Sequence, residues 1–295
     1  MNFKKLQLDD IASVKPALYE YAPNQANDYT ATGLFLWRDY LDVYVAFEPD
    51  GVYIYQHVDD VYLFYFPLCK DPEAGFRKIA NYCTSNKLPY GFYPFTAEET
   101  AYLDRAGIKY KVVTSDDYND YLHKIEDFAE FRGKAFHSQK NHINKFNKEY
   151  DDFSFERISA ENLADVKAFF DDYATEKLAE QLSATEHEEL LKIPELLDHM
   201  DDYNLFGYCI KIDGKVQGFE LGEIVGNMYY SHIQKANRNI DGIYTKIINS
   251  VAIDLRDKVI FINREEDLGE AGLRDAKQRY HPCGFIKKEM IFAVV

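Results

Sequence analysis

Two stretches of the chain share one three-beat pattern, and that repetition restricts the fold more than any other feature. In DVYVAFEPDGVYIYQHVDDVYLFYFP, from Asp42 to Pro67, three aromatic and β-branched runs are separated by the turn signals PDG and DD. In LFGYCIKIDGKVQGFELGEIVGNMYYSHIQ, from Leu205 to Gln234, three runs are separated by the hairpin signal IDGK and a second turn at Gly226. Each stretch predicts an antiparallel meander, and the elements around the two meanders follow the same order. The first is preceded by the amphipathic helix LDDIASVKPALYEY. It is followed by DPEAGFRKIANYC, with Phe76, Ile79, Ala80 and Cys83 at helical spacing, then strand YGFYPF, a helix ending at Gly107 and strand IKYKVV. The second is preceded by a helix with Leu163, Val166, Phe169, Phe170 and Tyr173 on one stripe, and by SATEHEELLKIPELLDHM, interrupted at Pro194. It is followed by helix GIYTKIINSVAIDL, strand KVIFIN, helix AGLRDAKQRY and terminal strand FIKKEMIFAV. The correspondence is one of element order, which implies a duplication without a residue-level repeat.

The expected fold class is therefore α/β, with α+β mixed sheets in two tandem lobes: 1–125, a basic linker helix at 126–150, and 151–295. A chain of 295 residues suits two domains. With 24 Tyr and 21 Phe it has ample apolar area for both cores. The net charge of −16 repels nucleic acid and anionic membrane at long range, but fields beyond about 8 Å are screened, so a local patch can still bind. Cys69, Cys83, Cys209 and Cys283 form no CxxC pair, which predicts reduced thiols with neither a disulfide framework nor a metal site. The longest apolar run, VYLFYFPLC, is under half a membrane span, and MNFKKLQLDD lacks a signal-peptide core. A cytoplasmic protein without an integral membrane segment is expected.

Charge is unevenly placed. FRGKAFHSQKNHINKFNK, from Phe131 to Lys148, holds five Lys or Arg, two His and no acid. Phe136, Ile143 and Tyr150 recur every seven residues, with Phe146 beside them, so one face docks while Lys134, His137, Asn141, Asn144, Lys145 and Lys148 point elsewhere. Near the other end, FINREEDLGEAGLRDAKQRYHP carries nine charged side chains in twenty-two residues. Asn263, Arg264, Glu265, Glu266 and Asp267 leave a strand at its C-terminal end, where an open α/β sheet places ligands. On the helix that follows, Leu273, Ala276 and Tyr280 make the expected buried stripe, leaving Arg274, Lys277 and His281 on a polar face. Tyr230 and His232 share one side of the MYYSHIQ strand and either line the cleft or pack in the core.

Helix, three antiparallel strands, helix, parallel strand, helix, strand resembles the N-acetyltransferase (GNAT) superfamily, acyl-CoA N-acyltransferase-like folds in which strands four and five splay apart around an acyl donor. Their pyrophosphate loop has the form Q/RxxGxG/A, whereas this chain has QKANRNIDGIY with the single glycine Gly242, so acyl-CoA is the less favoured donor. GLRDAKQRYHP is similar to the GL(x)3K(x)2-aromatic-x-Pro pattern of the phosphatidylglycerol lysyltransferase catalytic domain, and more distantly to Fem-type aminoacyl-tRNA transferases. GKAFHSQKNHINKF and NIDGIYTKIINSVA extend the likeness to soluble bacterial proteins of unknown function over essentially the whole chain.

The resemblance implies an aminoacyl-tRNA donor and a lipid-headgroup, peptide or small-molecule acceptor. It places Lys277 at the reacting end of the donor, as oxyanion or donor-phosphate stabiliser. Glu265 or Asp267 would then act as general base. Arg264, with Asn263 and Arg274 beside it, would orient an acceptor carboxylate or phosphate. Tyr230 and His232 would line the cleft, and Lys235, Arg238, Lys140, Asn141 and Asn144 would contact tRNA. Two other readings compete: a non-catalytic tandem module binding an anionic ligand or protein partner, and, for the charged cluster, a purely structural set of ion pairs.

Overall fold

The computed structural model describes residues 1–58 and 60–294, so the Asp59 half of the second turn signal lies outside the described residues. By contact the chain divides into two units, one of Met1–Asp120 with the chain from Ile286 onward, the other of Tyr121–Phe285.

The first unit starts with β1 (Lys4–Lys5), α1 (Ile11–Tyr21) and α2 (Ala31–Leu36). With PDG at the first turn, β2 (Val43–Glu48), β3 (Gly51–Val58) and β4 (Val61–Phe64) form the expected antiparallel meander, and β5 (Leu68–Cys69) pairs back on β3. Asp71 caps α3 (Pro72–Asn86) through the Ala74 N–H, and Phe76, Ile79 and Cys83 are buried, as the spacing predicts. β6 (Tyr90–Phe95), α4 (Thr100–Ala106) and β7 (Tyr110–Thr114) complete this run.

The second unit has β8 (Asp120–Lys124), α5 (Ile125–Glu130), α6 (His137–Glu149), β9 (Phe153–Arg157), α7 (Leu163–Leu178), α8 (Ala184–Asp198) and α9 (Met200–Tyr203). β10 (Phe206–Ile212), β11 (Lys215–Val225) and β12 (Met228–Ala236) form the second meander, followed by α10 (Ile243–Leu255), β13 (Phe261–Asn263), α11 (Ala271–Gln278) and β14 (Gly284–Ile286). Among the described residues this sheet runs β14-β8-β13-β12-β11-β10-β9. Ile247, Ile248, Val251 and Leu255 of α10 pack with Tyr208, Ile210, Tyr229 and Ile262 from the strands. Full burial of such a side chain contributes about 1.5–3 kcal/mol, which fixes α10 against the β12–β13 region.

Three expectations meet a different arrangement. The stretch 126–150 is no free-standing linker: Phe128, Phe136 and Phe146 belong to the second unit's core, and Gln139 Nε2 donates to the Arg279 carbonyl at 2.6 Å. α8 runs unbroken through Pro194, because one lost N–H bond weighs less than the buried row Leu190, Ile193, Leu196 and Leu197. The terminal strand FIKKEMIFAV divides into β14 and β15 (Glu289–Ala293), and β15 pairs with β6 and β7 in the first sheet. Alternation predicts a strand but does not name its partners. No helix among the described residues is long and apolar enough to cross a membrane.

Candidate active site

β12 and β13 run parallel for only three pairs: Met228 with Phe261, Tyr229 with Ile262, and Tyr230 with Asn263. β12 then continues to Ala236 while β13 ends, so the two part from Ser231 and Arg264 onward. On its other edge β12 carries a bulge: Leu221 pairs with Ile233 and Gly222 with Ser231, leaving His232 as the extra residue. Gly222 is required here, since a Cβ would lie 2.3 Å from the Tyr230 carbonyl oxygen.

The side chains at this fork divide between the sheet's two faces. On the face away from α10, buried His232 is held by two carboxylates, Nε2 to Glu223 at 3.1 Å and Nδ1 to Glu265 at 2.7 Å. Burial alone would depress this imidazole, but the two carboxylates overcome it and raise its pKa to about 9, so it is a cation at neutral pH. Burial raises the Glu265 pKa, with His232 opposing. The Tyr230 ring stacks on His232, with centroids 6.1 Å apart, as their spacing along β12 predicts.

Arg264 turns to the opposite side. Its guanidinium lies 4.9 Å from the Tyr280 ring centroid and 5.9 Å from that of Phe128, and Nη1 is buried with no hydrogen-bond partner among the described residues. His123 of β8, edge-on to Phe128, is also buried, and among the described residues neither ring nitrogen has a hydrogen-bond partner. Burial, and next the Arg264 charge, push its pKa down to about 3, so it is neutral. Glu220 of β11 is fully buried and accepts from Ser231 Oγ at 2.9 Å, Gln234 Nε2 at 2.9 Å and Tyr229 Oη at 3.1 Å. Burial lifts its pKa to about 7 against those donors and Arg264.

α11 presents the reverse of its expected stripe. Leu273 is 37 % exposed, whereas Lys277 is only 6 % exposed and donates to the Glu266 carbonyl, its ammonium 5.9 Å from the Tyr121 ring centroid. The polar loop between β13 and α11 supplies that carbonyl, and so the lysine faces inward. Asp267 is buried and saturated: Tyr121 Oη donates at 2.5 Å, Gly269 N at 2.9 Å, and Arg274 binds it with Nε at 2.9 Å and Nη2 at 2.7 Å. Burial works to raise its pKa, and these bonds outweigh it and leave the pKa lowered. The pair anchors α11 to the loop, which is the structural reading of the cluster. Asp267 has no room to serve as a base. Asn263 Oδ1 accepts from the Glu265 N–H at 2.7 Å, shaping the turn.

Asn263, Arg264, Glu265, Asp267, Arg274, Lys277, Tyr230 and His232 thus gather around the end of β13. The other expected residues do not. Lys235 pairs with Glu189. Arg238 lines a separate 660 Å³ groove with Phe169, Asp172 and Tyr173 of α7. Lys140, Asn141 and Asn144 are exposed on α6. α6 also closes the N-terminus of α10: Asp241 is bound by His142 at 3.2 Å and Lys145 at 2.5 Å, and a Cβ on Gly242 would lie 2.7 Å from the His142 carbonyl oxygen. Glu220, Glu223, Ser231 and His123 escaped the sequence reading. A usable signal existed, since GFELGEIV places two acids in an otherwise apolar strand.

The comparisons agree with this architecture. A conserved protein of unknown function from Bacteroides thetaiotaomicron superposes with a TM-score of 0.84 at 24% identity, covering 100% of both chains. L-PGS from Bacillus licheniformis superposes at 0.65 with 13% identity over 95% of this chain and 91% of that one, and FemX at 0.57 with 9% identity over 100% and 98%. At these identities the likeness establishes the fold alone, a mixed α/β architecture with two mixed sheets. No curated protein matches the sequence. Residues 19–291 match the family described as phosphatidylglycerol lysyltransferase, C-terminal, and the chain belongs to that family.

Proposed function

We propose that the chain transfers an aminoacyl group from an aminoacyl-tRNA to an amine or hydroxyl acceptor, a lipid headgroup, peptide or small molecule, at the fork between β12 and β13. Family membership supports the reaction class. The observation that carries it is Arg264, a cation fixed on Tyr280 beside the fork, with a buried Nη1 that has no hydrogen-bond partner among the described residues. A buried donor without a partner costs about 1–3 kcal/mol, a cost that an anionic or carbonyl oxygen of a substrate removes. Attack on the ester carbonyl creates negative charge there, and Arg264 with Lys277 supplies the opposite sign in a site shielded from water. Acyl-CoA fits less well. A helix N-terminus is where its phosphates would bind, and at α10 that place holds the Asp241 carboxylate and the His142 carbonyl.

A non-catalytic module would use the same arginine to hold an anionic ligand, and one experiment separates the two. The protein is incubated with charged tRNA pools and candidate acceptors, with Arg264→Ala and Lys277→Ala alongside. Transfer by the wild type, reduced at least about 100-fold in each variant with folding intact, is expected. Absence of transfer from every charged tRNA, with an anionic ligand still bound through Arg264, establishes the module instead.

A further inference from the structure

Ser231 is the first residue of β12 beyond its last pair with β13, and it sits at the root of the fork. It is partly exposed, whereas the carboxylate to which it donates, Glu220, is fully buried in the neighbouring strand. The pair therefore links a surface hydroxyl to an interior acid. Other acids near the fork are committed: Asp267 to Arg274 and Tyr121, and Glu223 and Glu265 to His232. Glu220 accepts only from neutral donors, Tyr229, Ser231 and Gln234, and forms no salt bridge among the described residues. Gln234 is itself steered by the Tyr244 carbonyl of α10 at 3.4 Å.

We infer that Ser231 and Glu220 form the proton relay of the transfer reaction proposed above, Ser231 touching the acceptor and Glu220 acting through it as a positioning and proton-storing group. As the acceptor nitrogen or oxygen bonds to the ester carbonyl carbon, its proton passes to Ser231 Oγ and the serine proton passes to Glu220 Oε1. When the carbonyl–ribose C–O bond breaks, its electron pair leaves on the ribose oxygen. The proton then returns from Glu220 through Ser231 to that oxygen. Nothing is oxidised or reduced, and serine and glutamate end as they began. The ionisable groups facing Glu220 are Tyr229 on β12 and Arg264 beyond β13, and α10 contributes the Tyr244 carbonyl through Gln234. A carboxyl in this setting changes charge near neutral pH, where a general base is most effective.

The test is steady-state transfer from charged tRNA by the full chain across neutral pH, for wild type, Glu220→Gln, Ser231→Ala and Ser231→Thr. Glu220→Gln should lower kcat about 100-fold or more, with KM changed by less than about threefold, and should abolish the acid limb of the profile. Ser231→Ala should show the same loss, and Ser231→Thr, which keeps the hydroxyl, should recover most of it. Thermal melting confirms that each variant folds. An active wild type whose Glu220→Gln variant keeps both rate and acid limb overturns the relay alone, as does an aminoacyl ester trapped on Ser231. An inactive wild type overturns the transfer reading, and the relay with it.

Discussion

Glu265 takes a left-handed backbone, φ 58°, that a side chain with a Cβ adopts only at a cost of about 1–2 kcal/mol. The turn is held by the Asn263 side chain on one side and the His232 imidazolium on the other. That ion pair has a pH signature. The folded-state pKa of His232, about 9, lies above the ordinary imidazole value of 6.5, so its contribution is complete below pH 6.5 and lost as pH rises through 9. Its size is on the order of 3 kcal/mol. Urea denaturation at a series of pH values should therefore show wild-type stability falling between pH 6.5 and 9, and His232→Gln should flatten that fall. Equal slopes for the two proteins would exclude a charged His232. At this scale the sequence was legible where a residue's neighbours share its strand, as with Tyr230 and His232, and opaque where they come from another strand. Nothing in YLHK places His123 beside Arg264, and nothing in GLRDAKQ makes the lysine the buried residue and the leucine the exposed one.

Among the elements, α6 and α10 meet at a point where only glycine fits. Gly242 has φ 80° and lies against the His142 carbonyl, so Gly242→Ala adds both backbone strain and a clash. A stability loss of about 2 kcal/mol or more, seen as a lowered denaturation midpoint at unchanged slope, is expected. An unchanged midpoint would show that α6 lifts off α10 without cost. The outward face of α6 makes a separate prediction. Lys140 and Lys148 are exposed there, and if tRNA lies along the helix, each charge reversal to Glu should weaken binding and lower the salt slope by about one. Filter binding at several salt concentrations measures this, and identical slopes would remove α6 from the tRNA path. The helix itself was readable from the seven-residue spacing of Phe136, Ile143 and Tyr150. Its role in sealing α10 was not, because that depends on a glycine about a hundred positions away.

For the whole molecule, the duplicated element order predicted two α/β lobes correctly, since each meander carries its own turn chemistry. It did not predict which sheet the last strand joins. β15 stands between β6 and β7, with Ile291 fully buried and Lys288 paired to Asp28 and Asp120, each at 2.8 Å. Removing residues 287–295 should strip hydrogen-exchange protection from Tyr110–Thr114, whose strand partner is β15, and lower it in Tyr90–Phe95, which keeps β4, while β10 to β12 stay protected. The loss of Lys288 alone leaves the buried Asp120 carboxylate without its ammonium partner, a penalty of about 3–5 kcal/mol. Protection that fades equally in both sheets would show that the two units unfold as one.

The position of β15 also dictates an order of events at the ribosome. Chains emerge at about 5–20 residues per second, and domains generally fold from the N-terminus as they appear. Here the earliest-made unit must wait, with the gap between β6 and β7 unfilled, until β15 has been made. The segment bearing the fork is finished first. A nascent chain arrested before Glu289 would thus hold a mature second unit and an immature first one that is exposed to chaperones.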